Sequence, residues 1–169
     1  MSELNHFSAS GRARMVDVSE KSITQRVAIA SGVLRMQPAT MQRIQAGKVA
    51  KGDVLTVADV AAVMAAKRTA DLIPMCHSLP LTGVEIVFSE IAQEDAQGCV
   101  GLAVFATVRC VGQTGVEMEA LCAVSTALLT VYDMCKAMDK GMRIELIQLE
   151  EKRGGKTGVW QRATEPAPC

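Results

Sequence analysis

Two stretches of the chain alternate with a period of two, one set apolar throughout and the other mixed. Val84, Ile86 and Phe88 are set against Glu85, Val87 and Ser89; Leu102, Val104, Ala106 and Val108 are set against Gly101, Ala103, Phe105 and Thr107. A period of two puts one set on each face of a β-strand. The linker between them, Gln93 to Gly98, is short and polar, which predicts an antiparallel hairpin. Upstream, β-branched residues gather from Gln25 to Met36, and Ser31–Met36 reads as a strand. Pro38 suits a first helical turn and Gly47 a stop, so a short helix is predicted over 38–46. Asp53 can cap a second helix from Val54 to Lys67, in which Val57, Val60, Ala61 and Met64 share a face. Thr114-Gly115-Val116-Glu117 matches a capping box, which predicts a long helix from Thr114 to about Met138, with Gly141 just beyond. Met142–Lys152 reads as the last strand.

Strand, helices, strand, strand, helix, strand is the order of an α+β fold. Helices packed on one face of an antiparallel sheet give a ferredoxin-like sandwich. Residues 15–153 form its single domain. Residues 1–14 read as a flexible N-terminal arm, and 154–169, with its Gly-Gly-Lys-Thr-Gly run, as a flexible C-terminal tail.

Composition narrows the function. The 169 residues carry 18 Lys plus Arg against 18 Asp plus Glu, and aromatics make up only 3%. A neutral, aromatic-poor chain lacks the basic face and the stacking platform of a nucleic-acid binder. The longest largely apolar stretch, Leu121–Tyr132, is too short to span a bilayer, and the N-terminus lacks signal-peptide character, so no membrane role is expected. Cysteines at 76, 99, 110, 122, 135 and 169 form no C-x-x-C pair, which suits a reducing cytoplasm. With two histidines in all, no metal site is expected.

Candidate chemistry sits in two places. Pro74 and Pro80 fix a loop around Cys76 and His77, where imidazole can exchange protons near neutrality or simply bond a carbonyl. The thiol of Cys76 reads more as a buried hydrophobe than as a nucleophile. The long helix carries Glu117, Glu119, Asp133 and Lys136. Glu117 is explained by the capping box, and Glu119 points elsewhere. Asp133 and Lys136 share one face in an apolar turn, where an acid–base pair or an ordinary ion pair fits. Glu119 and Asp133 are 14 residues apart, roughly 21 Å along a helix. If both serve one small substrate, a second subunit must complete the site. Lys51, Lys67, Arg68 and Lys136 could hold phosphates. Gly155-Lys156-Thr157 is no P-loop, because Glu150 stands where that pattern needs glycine and no helix pattern follows.

Taken in order, Met15–Ser19, Ala66–Thr69, Ile73–His77, Thr114–Ala120 (TGVEMEA), Thr130–Ala137 (TVYDMCKA) and the GGKTG run resemble the MoaC-type cyclic pyranopterin monophosphate synthases of molybdenum-cofactor biosynthesis. The likeness covers about residues 5–160. Departures are Met75, Ser78 and Thr157, where that family more often has Leu, Pro and Ser. The resemblance implies a homohexamer, a trimer of dimers with active sites between subunits. It implies a GTP-derived triphosphate substrate, already cyclised between ribose C3′ and guanine C8, that is converted to cyclic pyranopterin monophosphate with release of pyrophosphate. By the same likeness Asp133, Lys51 and Lys136 are catalytic; Met75, Cys76, His77, Met118 and Glu119 line the substrate; Asp17, Arg26, Lys67 and Glu117 support it. No cofactor is implied, though Mg2+ could accompany the triphosphate. A ferredoxin-like regulatory domain that only binds a small molecule is the rival class, and pyrophosphate release separates the two.

Overall fold

The computed structural model describes residues 15–47, 49–156 and 158–163; the arm at 1–14 lies outside them. Four long strands make the sheet: β1 (Thr24–Met36), β2 (Leu81–Ile91), β3 (Val100–Gly112) and β4 (Arg143–Arg153). A three-residue strand, β5 (Val159–Gln161), is added at one edge. The order is β2-β3-β1-β4-β5, antiparallel throughout, and its first four strands have the ferredoxin-like arrangement.

The alternation in the sequence translates directly. Ala28, Ala30 and Leu34 of β1 and Leu102, Val104, Ala106 and Val108 of β3 are buried on the helix side, with Val84, Ile86 and Phe88 of β2 packed against them. Helices α1 (Pro38–Gln45), α2 (Val54–Lys67), α3 (Thr69–Leu72) and α4 (Glu117–Cys135) complete the fold. α4 packs against α2 and lies over β1, β3 and β4. Its buried stripe runs through Ala120, Ala123, Val124, Ala127, Leu128 and Val131 at helical spacing. Gly32, in the middle of β1, makes room for it. A Cβ there would stand 2.7 Å from Val124 Cγ1 and 2.8 Å from Leu128 Cδ1.

Several boundaries differ from the expected ones, each for a local reason. β1 begins at Thr24 rather than Ser31, because β3 and β4 pair with it on both sides. α2 has the expected limits, and Asp53 caps it by accepting from the Thr56 amide at 3.1 Å. Its packed face, however, is Val54, Ala58, Ala62, Ala65 and Ala66; Val57, Val60 and Met64 point outward. Alanine lets α2 approach α4 closely, which the bulkier stripe would prevent. α4 starts at Glu117, not Thr114, and no side chain caps it, so the capping box does not form. It ends at Cys135 rather than about Met138. Nineteen residues make it long and apolar enough to cross a membrane by length and composition, but half of it is buried inside this fold.

Of the tail expected at 154–169, Val159–Gln161 forms β5, while 157 and 164–169 lie outside the described residues. The Gly154 amide donates to the Gly158 carbonyl at 3.1 Å, and this turn returns β5 onto β4, pairing Lys152 with Trp160. Near the far end of α4, buried Asp139 accepts from the Gln37 amide at 2.8 Å and from the Gly141 amide at 3.1 Å. It thereby ties the turn after α4 to the start of α1.

Candidate active site

The two ends of α4 carry two separate polar groups. At its C-terminal end Asp133 is exposed and gripped by two lysines. Lys136, one turn on, donates to Asp133 Oδ1 at 2.6 Å, and Lys51, from the loop before α2, donates to Oδ2 at 2.8 Å. The hydrogen bond from Lys136, then that from Lys51, holds the Asp133 carboxyl down at about 2. Lys136 is raised in return, chiefly by its hydrogen bond to Asp133. Asp133 is therefore an ionised acceptor and Lys136 a charged donor at neutral pH. They border a cavity of about 410 Å³ together with Lys51, Tyr132 and Lys140.

At the N-terminal end of α4 the groups are drier. Glu119 is only 4% exposed, and no cation lies within ion-pair distance of it among the described residues. Burial, reinforced by the charge of Glu117, pushes its carboxyl up, so it keeps a proton more readily than an exposed glutamate. Burial likewise raises the Cys76 thiol, with the Glu119 charge adding to it, which leaves a poor nucleophile. His77 Nε2 lies 2.9 Å from the Val16 carbonyl and donates to it. A carbonyl can only accept, so Nε2 carries a proton. The same carbonyl contact holds the Met15–Ser19 segment beside the loop. Asp17 there accepts from the Ser19 hydroxyl at 2.6 Å and the Ser19 amide at 2.9 Å, and these bonds lower its carboxyl. A cavity of about 270 Å³ opens beside His77, walled by Leu79, Gly112, Gln113 and Thr114.

Of the other expected residues, Arg26 donates to the carbonyls of Gly112 and Gln113, at 3.4 and 3.2 Å. Met75 is exposed, Met118 half-buried, and Lys67 exposed at the end of α2. Glu117 has a different partner from the one its sequence context suggested. It forms an ion pair with Lys152 of β4 at 3.0 Å, a residue that carried no role in the sequence reading. Strict alternation along β4 does not reveal Lys152, because two register shifts break the parity of the strand. The pairing of Lys152 with buried Ala28 puts it on the helix face.

One chain thus brings Asp17, Arg26, Cys76, His77, Glu117 and Glu119 to one end of α4, and Lys51, Asp133 and Lys136 to the other. Fold and site together define a ferredoxin-like α+β protein with acid–base groups in two cavities and, among the described residues, no glycine-rich nucleotide loop. Residues 15–155 match the MoaC family. The chain is 58% identical over 160 residues to the cyclic pyranopterin monophosphate synthase of Chloroflexus aggregans, covering 95% of this chain and 94% of that protein. It is 58% identical to the synthase of the same name from Brevibacillus brevis, over 95% and 96% of the two chains. The Thermomicrobium roseum protein of that name is 54% identical over 167 residues, 99% and 98% of the chains. The chain belongs to the MoaC family.

Proposed function

We propose that this chain is a cyclic pyranopterin monophosphate synthase. It converts the 3′,8-cyclised dihydro-GTP intermediate into cyclic pyranopterin monophosphate and pyrophosphate, in molybdenum-cofactor biosynthesis. The observation that carries the reading is Asp133 held between Lys51 and Lys136, set in a chain more than half identical to synthases of that name. Opening a purine-derived ring and closing a pterin moves several protons. Asp133 and the two lysines supply an acceptor flanked by donors, while Glu119, raised by burial, supplies a carboxyl that can hold a proton. Positive charge stabilises the departing pyrophosphate.

In this reading the two polar groups of one chain belong to two different active sites, each completed by a neighbouring subunit of a hexamer built as a trimer of dimers. The roughly 21 Å between Glu119 and Asp133 along α4 supports that. So do the apolar side chains left on the surface, Val57, Val60 and Met64 on α2 and Val87 and Phe105 on the open face of the sheet. The reading requires no resident cofactor; magnesium enters, if at all, with the triphosphate. The described cysteines, 76, 99, 110, 122 and 135, are free thiols, in keeping with the cytoplasmic placement this function takes.

The test is to supply the cyclised substrate and measure pyrophosphate and pterin product. Stoichiometric release of both is the expected result. Binding of substrate without pyrophosphate release would instead assign the chain to a non-catalytic binding class.

A further inference from the structure

Of the two lysines on Asp133, Lys136 comes from the same helix end, whereas Lys51 has to be brought there. Lys51 stands in the connection from α1 to α2, six residues beyond Gln45, the last residue of α1. Its side chain is about half exposed, so core packing does not hold the ammonium on its target. A long side chain of this kind has many rotamers open to it, and fixing one costs entropy. Its reach is therefore set by where the main chain of the connection lies. Val49 is buried there, and the Gly52 amide closes a turn onto the Val49 carbonyl at 3.0 Å.

α1 in turn is fastened to the chain that follows α4. Asp139 is buried, and its two carboxyl oxygens take three donors. Oδ2 accepts from the Gln37 amide at 2.8 Å and the Thr40 hydroxyl at 3.3 Å; Oδ1 accepts from the Gly141 amide at 3.1 Å. Gln37 immediately precedes α1, and its own side chain makes no cap. Asp139 thus does from another element what a local Ser, Thr, Asp or Asn usually does for a helix start. Near the other end of α1, Arg43 Nη1 lies 3.7 Å from Met138 Sδ. The turn that bears Asp139 is itself fixed to α4: the Asp139 amide donates to the Cys135 carbonyl at 3.1 Å, and the Tyr132 hydroxyl to the Lys140 carbonyl at 3.2 Å. One side chain joins the element that leads to Lys51 to the element that carries Asp133 and Lys136.

We propose that Asp139 is a positioning residue: by capping α1 from the end of α4, it sets the α1–α2 connection where Lys51 bonds Asp133. Its hydrogen bonds go to Gln37, Thr40 and Gly141, so it acts through the main chain and not on the reacting atoms. The effect on turnover rests on the synthase reading; the effect on the Lys51–Asp133 bond does not.

Two variants test it. In Asp139→Asn one accepting oxygen becomes a donor, so either the tie to α1 or the tie to Gly141 breaks. Gln37→Pro leaves Asp139 intact and deletes the one N–H. Gln37 has φ −63°, the value proline imposes, and ψ 143°, which suits a residue before Pro38. Each variant is expected to lower kcat by about tenfold or more, as misplaced groups do, with KM within about twofold of the parent's. In a Lys51→Ala background, Asp139→Asn should cost less than about twofold more, because the lysine it places is gone. The readout that needs no turnover is the carboxyl carbon of Asp133, followed by NMR in protein labelled with 13C-aspartate. Loss of the Lys51 bond should raise its midpoint from about 2 in both variants. Gly32→Ala, destabilised by packing, controls for lost stability and should leave the midpoint and kcat unchanged. Equal losses of kcat with and without Lys51 would overturn the proposal, as would an unmoved Asp133 midpoint. If Asp139→Asn does not fold, Gln37→Pro decides on the midpoint and on the same cycle with Lys51→Ala. A raised midpoint in the variants of a parent that makes no pyrophosphate would sink the synthase assignment alone. Normal turnover by the parent with the midpoint unmoved in the variants would sink the role of Asp139 alone.

Discussion

Lys51 Nζ donates to two oxygens of Asp133, the carboxylate and the main-chain carbonyl, each at 2.8 Å. That carbonyl belongs to the last turn of α4, where helical carbonyls lack intrahelical partners and favour a cation. One ammonium therefore serves two ends: it closes a helix terminus and it orients the carboxylate to which the proposed function assigns proton transfer.

Because both ends of this contact are exposed, removing it should spare the fold and cost the reaction. Lys51→Ala and Asp133→Asn are expected to keep the melting temperature close to the parent's and the assembly unchanged. Product formation should fall by about 100-fold or more, the usual weight of an acid–base group. Size-exclusion chromatography alongside a pyrophosphate assay checks both halves. Near-normal turnover in either variant would remove that residue from the mechanism.

The low carboxyl of Asp133 also predicts a pH dependence. Its folded value, about 2, lies below the ordinary aspartate value of 3.8. The sign follows: its contribution to stability is complete above the unfolded value and is lost as pH falls toward 2. An acid limb of kcat/KM between pH 4 and 6 would thus belong to some other group. Such a limb should persist in its position in Lys136→Arg, which keeps a donor beside Asp133.

Glu119 predicts the opposite slope. A carboxyl raised by burial binds protons more tightly folded than unfolded, so its burial costs stability as pH rises through the ordinary glutamate range. Glu119→Gln removes that cost. At neutral pH the variant should melt about 2–4 °C higher, as a gain of about 1 kcal/mol gives in a domain of this size. Its advantage should shrink at pH 4, and its activity should be lost. A lower melting temperature at neutral pH would mean that the carboxylate has a stabilising partner in the assembly.

Shared sites predict complementation. On the proposed sharing of sites, a chain altered at Glu119 and a chain altered at Asp133 are each expected to be inactive alone. In mixed oligomers some sites receive both intact halves, so activity should return. Subunit exchange confirmed by mass spectrometry with no recovery would confine each site to one chain.

Packing gives a prediction independent of function. Gly32→Ala drives a methyl to within 2.7 Å of Val124 and 2.8 Å of Leu128, both fully buried. Overpacking of this kind costs about 1–3 kcal/mol. Urea unfolding measures it. A variant as stable as the parent would mean that α4 can shift off the sheet without loss.

The strands of the hairpin were legible because each of their residues faces either helices or the open side of the sheet, a pattern with period two. α2 was legible in its limits, which depend on Asp53 and local propensity, but not in its orientation. Val57, Val60 and Met64 form the more apolar face, yet the smaller alanines face α4, because helix separation is decided by what stands opposite. The capping box at Thr114 failed for a similar reason. Glu117 has the right spacing for a local bond, and Lys152, 35 positions later, draws it into an ion pair instead.

By itself, then, the sequence determined the alternation that makes the sheet, the limits of α2, and the choice of Asp133, Lys136, His77 and Glu119 as candidate groups. These depend on neighbours a few residues away. Tertiary structure alone decided that Lys51 meets Asp133, that Lys152 meets Glu117, and that five cations (Lys21, Arg26, Lys152, Arg153 and Lys156) share one cleft in a neutral chain. Net charge sums over positions and carries no distances, whereas an electrostatic site is made by distances. Chain packing, with two register shifts in β4 and a glycine turn beneath Arg26, supplied them.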